Sequence, residues 1–145
     1  VAKMAMAVLF AAIILLLLAV LAVGVAGVRL SALQWLALVA TCLVGVLPFS
    51  ALGLWLCTLV SGRGAPALIN LVYLPMAFLS GLWVPLHLLP SFLQSVAPVW
   101  PAYHLAQIAQ KVVGVDAGRP LLLHVVVLVA ITAVFFLLAR RQLAR

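Results

Sequence analysis

The sequence predicts an all-α fold, a polytopic membrane bundle of four spanning helices with a proline-broken external segment before the last. Three observations lead there. Of 145 residues, 70% are hydrophobic and only 6% are charged, with a mean hydropathy of +1.47, which is the composition of an integral membrane protein. The apolar residues fall into runs of about 20, the length that crosses a bilayer core. Glycine, proline and the basic residues collect between those runs, where turns and membrane surfaces use them. The whole chain, 1–145, reads as one transmembrane domain.

The first span is expected over residues 4–28. No charge falls between Lys3 and Arg29, and Ile13 to Leu18 is wholly apolar. Such a run is too long for a signal-peptide core, and no convincing cleavage site follows it. With Val1 rather than Met at its start, the chain is expected to be a fragment lacking an N-terminal part. Residues 29–34 make a short connection, so the first two helices are antiparallel neighbours.

The second span is expected over 35–60. Ala37, Thr41 and Gly45 recur every fourth position, and beyond Pro48 the stripe resumes as Gly53, Cys57 and Ser61. Residues four apart share a helix face, and small side chains there let backbones approach closely in lipid. Internal helix packing is one reading of the stripe; a contact between two copies of the protein or a pathway wall is the other. Pro48 is placed to kink the helix. Cys42 and Cys57 lie about four turns apart on one helix, too far to bridge, and are read as buried and inert. Residues 61–66, SGRGAP, form a turn with Pro66 in the first turn of the next helix. Its glycines lack the GxxxxGK[ST] pattern and follow no strand, so they hold no nucleotide.

The third span, 67–84, carries Asn70, Tyr73 and Ser80 in apolar surroundings, with Pro75 at mid-span. Asn70 in hydrocarbon needs a partner, either on another helix or on a solute in a path. The external segment is 85–119. Pro85, Pro90, Pro98 and Pro101 forbid one continuous helix, yet the residues between them stay apolar. That combination describes a re-entrant or interfacial segment, since broken backbone at membrane depth needs protein or a cavity around it. Two short amphipathic pieces lie in it, Ser91 to Ala97 and Pro101 to Val113. In the second, Tyr103, His104, Gln107, Gln110 and Lys111 form a polar stripe against Leu105, Ala106, Ile108, Ala109, Val112 and Val113. Gly114 is a stop, and Trp83, Trp100 and Tyr103 fall where an aromatic belt lies. Such a helix either rests at the interface as an anchor or caps an exit. Asp116, the single acidic residue, is placed to pair with Lys111 or Arg119, to small effect if exposed. The last span is 121–138, closed by Arg140, Arg141 and Arg145, with His124 one turn inside facing protein or the interface.

The order Asn70 to Pro75, Phe78-Leu79-Ser80-Gly81, Pro85, Leu89-Pro90, then Pro101 with His104, resembles the permease subunit of ABC type-2 exporters. The resemblance runs the length of the chain. It implies that these are spans three to six of a six-span permease, with the proline-rich region as external helices dipping into the membrane. It further implies a second permease copy and an ATPase subunit as partners, with ATP and Mg bound there and no cofactor on this chain. Extrusion of an amphiphilic substrate follows from the same resemblance, which leaves drugs, polysaccharides, lipids and peptides open.

Charge supports one orientation. A cytoplasmic C-terminus puts Arg140, Arg141, Arg145, Arg63 and Lys3 inside, against Arg29, Lys111 and Arg119 outside, in keeping with the positive-inside rule. The expected location is the bacterial inner membrane. The net charge of +7 does not point to nucleic acid, because the basic residues are scattered at segment ends rather than gathered on a face.

Rival functions are weaker. Ser80-Gly81 with His124 shares residue types with a rhomboid-type serine–histidine dyad, but the glycine-flanked serine and glycine-rich histidine helix are absent. The histidines show no metal-ligand spacing, and His87 and His104 are expected at the outer surface with His124 near it. A secondary transporter or channel is the main alternative, with a structural membrane subunit behind it. Ion-coupled carriers place ionisable residues inside their spans, and here no Asp, Glu, Lys or Arg falls within one. Asn70, Tyr73, Ser80, Trp83, His87 and His104 are the candidates for path or gate, and Ala37, Thr41, Gly45, Gly53 and Cys57 for helix packing.

Overall fold

A computed structural model of the chain describes residues 2–60, 62–115 and 118–144. All regular structure among them is helical: α1 (Ala2–Gly24), α2 (Ala32–Leu59), α3 (Ala65–Leu79), α4 (Ser91–Val96), α5 (Pro101–Val112) and α6 (Leu121–Leu143). Single 3-10 turns at Leu86–Leu88 and Ala97–Val99 flank α4. Ser61, Asp116 and Arg145 lie outside the described residues, and so do the small-stripe, ion-pair and C-terminal charge expectations that rest on them.

Three helices are long and apolar enough to cross a membrane, Ala5–Gly24, Ala32–Leu59 and Leu121–Leu143. α3 has 15 residues, about 22 Å of helix against a core of about 30 Å. The expected third span therefore stops early, at Ser80, because Gly81 takes a left-handed φ of 84° and the N–H groups of Ser80 and Gly81 fold back on Met76 and Phe78 carbonyls.

The other ends also shift for local reasons. α1 stops at Gly24 rather than residue 28. Its last carbonyls are taken by the N–H groups of Val25, Ala26 and Val28, with Gly27 left-handed at φ 64°. α2 begins at Ala32 rather than residue 35, because Ser31 and Gln34 form a reciprocal capping box: Gln34 N–H donates to Ser31 Oγ at 3.2 Å and Ser31 N–H to Gln34 Oε1 at 2.9 Å. α6 runs past residue 138 to Leu143, which brings Arg140 and Arg141 into its last turn, where cations meet the negative end of the helix dipole.

The centre of the bundle is the α2–α6 pair, with α5 laid against both, α1 packed on α2, and α3 touching α2 and α4. Ala51, Leu52 and Leu56 of α2 and Leu128 and Ala139 of α6 are buried there. Trp55 meets Phe135 with ring centroids 5.2 Å apart. Large apolar residues elsewhere, Leu16 and Leu122 for example, stay exposed, as lipid-facing surface does. Cys57 is exposed and Cys42 half-buried, so the pair is not the buried one expected; Cys57 points away from the protein contacts of α2.

The turn after α3 gives a direct test. An alanine at Gly81 would be strained at that φ, and its Cβ would stand 2.8 Å from Leu86 Cγ. Gly81→Ala should lower stability by about 1–2 kcal/mol from the left-handed backbone alone, read as a lower melting midpoint in detergent. Adding Leu86→Ala should relieve the clash and leave the backbone part.

Candidate functional site

α5 is where the polar residues converge. It starts at Pro101, whose fixed φ and missing N–H suit the first helical position, and Trp100 ahead of it is extended. Most of the polar stripe does not face water, and only Gln110 and Lys111 at its end are half-exposed. Tyr103, His104 and Gln107 are all buried, turned toward the helices that α5 packs on. Neither partner helix offers α5 a charged residue in its middle, so the polar side chains must satisfy one another or the backbone.

His104 does so at both ring nitrogens. Its Nε2 lies 2.8 Å from the Pro98 carbonyl oxygen and its Nδ1 lies 2.9 Å from His124 Nδ1. A carbonyl only accepts, which assigns the proton of neutral His104 to Nε2. His104 Nδ1 then accepts, and His124 Nδ1–H donates to it. The chain of bonds runs His124, His104, Pro98, and ties the first turn of α6 through α5 to the 3-10 turn before it. Tyr103 sets its ring edge-on to both imidazoles, with centroids 5.2 Å from His104 and 5.9 Å from His124.

The same assignment leaves a lone pair at His124 Nε2, on a residue with 0% exposure. That atom, Gln107 Oε1 and Trp100 Nε1 are buried without a hydrogen-bond partner among the described residues. Two acceptors and one donor are thus left on α5, on the residue before it and in the first turn of α6. Among the described residues no group of three His, Cys, Asp or Glu side chains gathers, so the two imidazoles serve each other by hydrogen bonding.

His104, expected at the outer surface, is buried against protein, and His124 faces protein, one of the two placements expected for it. The physical reason is that α5 packs against both α2 and α6, so residues of its polar stripe and of its apolar side alike meet protein. Of the remaining candidates, Ser80 is 1% exposed and its hydroxyl donates to the Ala77 carbonyl at 3.3 Å. Asn70, Tyr73, Trp83 and His87 are exposed. Among the described residues no hydrogen bond or ring contact joins these five to the histidine pair, so the six candidates are not one cluster. His124 and Gln107 are the members that sequence reasoning left out of the site. One signal for them was available: a histidine in the first turn of an apolar helix needs a buried partner.

Of the packing candidates, Gly45 is buried directly beneath Leu105 of α5. Ala37 and Thr41 are half-buried, with the Thr41 hydroxyl donating to the Ala37 carbonyl at 2.8 Å. Gly53 has nothing within 4 Å of where a Cβ would stand.

Comparison with known proteins bears on what this arrangement belongs to. The chain is 29% identical over 113 residues to a protein of Bacillus subtilis (strain 168) named "Putative transport permease YvfS", covering 78% of this chain and 45% of that relative. The chain therefore spans about half the length of the curated relative it matches. No solved structure matches it. A family model described as "ABC-2 family transporter protein" matches residues 1–141. With nearly every residue inside that match and a bundle of apolar helices to accommodate it, the chain belongs to the ABC-2 transporter family as a membrane permease.

Proposed function

We propose that the chain is part of the permease subunit of an ATP-driven exporter, with ATP and Mg bound by a separate ATPase subunit and a second permease copy completing the path. The family match over residues 1–141 supports this reading most. Charge distribution adds to it: the one acidic residue of this chain is Asp116, in sequence between α5 and α6, so the chain itself brings no carboxylate to a span, where ion-coupled carriers place theirs, and in this reading the energy source is a partner. In this reading α3 is a fourth crossing completed by the residues after Ser80. The segment between α3 and α6 then lies outside the inner membrane, with the C-terminus in the cytoplasm. α5, tied to α6 by the histidine pair, closes the outer end, and Asn70, Tyr73, Ser80, Trp83 and His87 line the path or its gate.

The test is to express the full-length gene with any ATPase encoded beside it and purify through a tag on the permease. Co-purification, and efflux from proteoliposomes that stops when the ATPase's phosphate-binding lysine is replaced, is the expected result. Transport that runs on an imposed ion gradient without ATP would instead establish the secondary transporter.

A further inference from the structure

The contact between His104 and His124 has the geometry of a shared proton. The facing Nδ1 atoms are 2.9 Å apart and the ring centroids 5.1 Å, a difference close to two ring radii. Each nitrogen therefore lies near the line joining the rings and aims at the other. Lone pairs set head-on do not converge on one metal ion, but they suit a single hydrogen between them. With Nε2–H of His104 held on the Pro98 carbonyl at 2.8 Å, three of the four ring nitrogens are engaged. The fourth, His124 Nε2, has no partner among the described residues. The next proton that the pair takes up therefore goes there.

A proton at Nε2 makes His124 a cation at 0% exposure, and a buried cation needs a counter-charge or water. The helices packed on α6 are α2 and α5. α2 carries two thiols, Cys42 and Cys57, and no charge; the titratable groups of α5 are Tyr103, His104 and Lys111. Arg119 precedes α6 on its own strand of chain, and Asp116 lies outside the described residues. None of the described groups supplies a negative charge. Neutral, the pair ties α5 to α6; charged, His124 is better served by water, which reaches it where α5 lifts away. The connection suits such a movement. It holds two left-handed glycines, Gly114 at φ 89° and Gly118 at φ 85°, positions able to take up backbone rotation. Leu105, seated over Gly45, keeps α5 on α2 meanwhile.

We infer that the histidine pair is an acid-released latch: one proton added at His124 Nε2 frees the start of α5 from the first turn of α6. The contact holds while the pair is neutral and is lost as the pH falls through the histidine range, from about pH 8 to about pH 5. On the reading proposed above, α5 closes the outer end, so acid on that side opens it. That consequence rests on the reading; the latch rests on the two rings alone.

Spin-label distances in the full-length protein in lipid nanodiscs test this. Neither ATPase nor substrate is added, so the result bears on the latch and not on transport. Cys42→Ser and Cys57→Ser remove the native thiols, and labels at Ala106→Cys of α5 and Leu122→Cys of α6 report the contact. Between about pH 8 and about pH 5 this distance should lengthen by about 5 Å, one helical turn. A control pair, Leu36→Cys of α2 with Leu122→Cys, should stay constant. Over the same interval, nitrogen NMR of the unaltered protein should show His124 Nε2 gaining a proton. His124→Asn should keep the short distance at every pH, since its amide N–H stands in place of Nδ1–H and does not titrate. A constant distance between Ala106 and Leu122 overturns the proposal, as does a lengthening with His124 Nε2 unprotonated. Lengthening of the control pair, which is general unfolding, or acid opening of His124→Asn overturns it too. Where His124→Asn is open at every pH or does not fold, the distance and nitrogen shifts measured with both histidines in place decide.

Discussion

His104→Phe should destabilise the bundle by about 1–3 kcal/mol, the cost of leaving a buried polar group unpaired. Phenylalanine fills a similar volume but neither accepts from His124 Nδ1–H nor donates to the Pro98 carbonyl, the two partners of His104. Hydrogen bonds between membrane helices average only about 0.6 kcal/mol in double-mutant cycles, because the freed group usually finds another partner. Here that escape is closed. His124 is fully buried and, among the described residues, its other nitrogen is already without a partner. The loss should therefore lie at the upper end of what is seen between membrane helices.

A double-mutant cycle separates the bond from mere packing. His124→Phe alone strands His104 Nδ1, whereas the double variant His104→Phe/His124→Phe removes both ends of the imidazole–imidazole bond and strands only the Pro98 carbonyl. The double variant should cost less than the sum of the singles, with a coupling of about 0.5–3 kcal/mol as for residues in direct contact. Unfolding in detergent measures it, and additive losses would mean that the two rings are not bonded. Nitrogen chemical shifts of the imidazoles give an independent check: His104 should be protonated at Nε2 and His124 at Nδ1.

Sequence reveals the membrane class readily because hydropathy is an average over many residues, and Lys3 and Arg29 bracket the first run as clearly as any residue could. Helix ends are set by single local interactions. The Ser31–Gln34 capping box has a sequence pattern, S-x-x-Q, that places the start of α2 at Ala32 once it is looked for. The left-handed turns at Gly27 and Gly81 do not, since a glycine in an apolar run is equally at home inside a membrane helix. The polar stripe of α5 was legible as a stripe, with Tyr103, His104 and Gln107 on one side. Which side faces protein was not, because periodicity gives a direction around a helix and says nothing about its neighbour. His124 stands twenty residues from His104, and only tertiary structure shows that the two rings meet.

The stripe on α2 shows the same limit and yields the second large effect. By spacing alone, Gly45 and Gly53 are equivalent small residues on one helix. In the fold they are not: a Cβ at Gly45 would stand 2.6 and 2.8 Å from the two methyls of Leu105, and one at Gly53 meets nothing. Gly53→Ala should therefore stabilise α2 by about 0.5–1 kcal/mol, the usual gain on replacing a helical glycine. Gly45→Ala gains the same helix term but must turn the end of Leu105 aside, so its net effect should be smaller. Gly45→Leu cannot be absorbed that way. Overpacking of this kind costs about 1–3 kcal/mol, and the strain falls on α5, the helix that carries His104. Adding Leu105→Ala should recover most of the loss by emptying the space above Gly45, while Gly53→Leu should remain near neutral. Melting midpoints of the five variants, with the distance between spin labels on α2 and α5, decide it. If Gly45→Leu and Gly53→Leu behave alike, α5 does not rest on Gly45, and the route from the proline-rich segment into the centre of the bundle lies elsewhere.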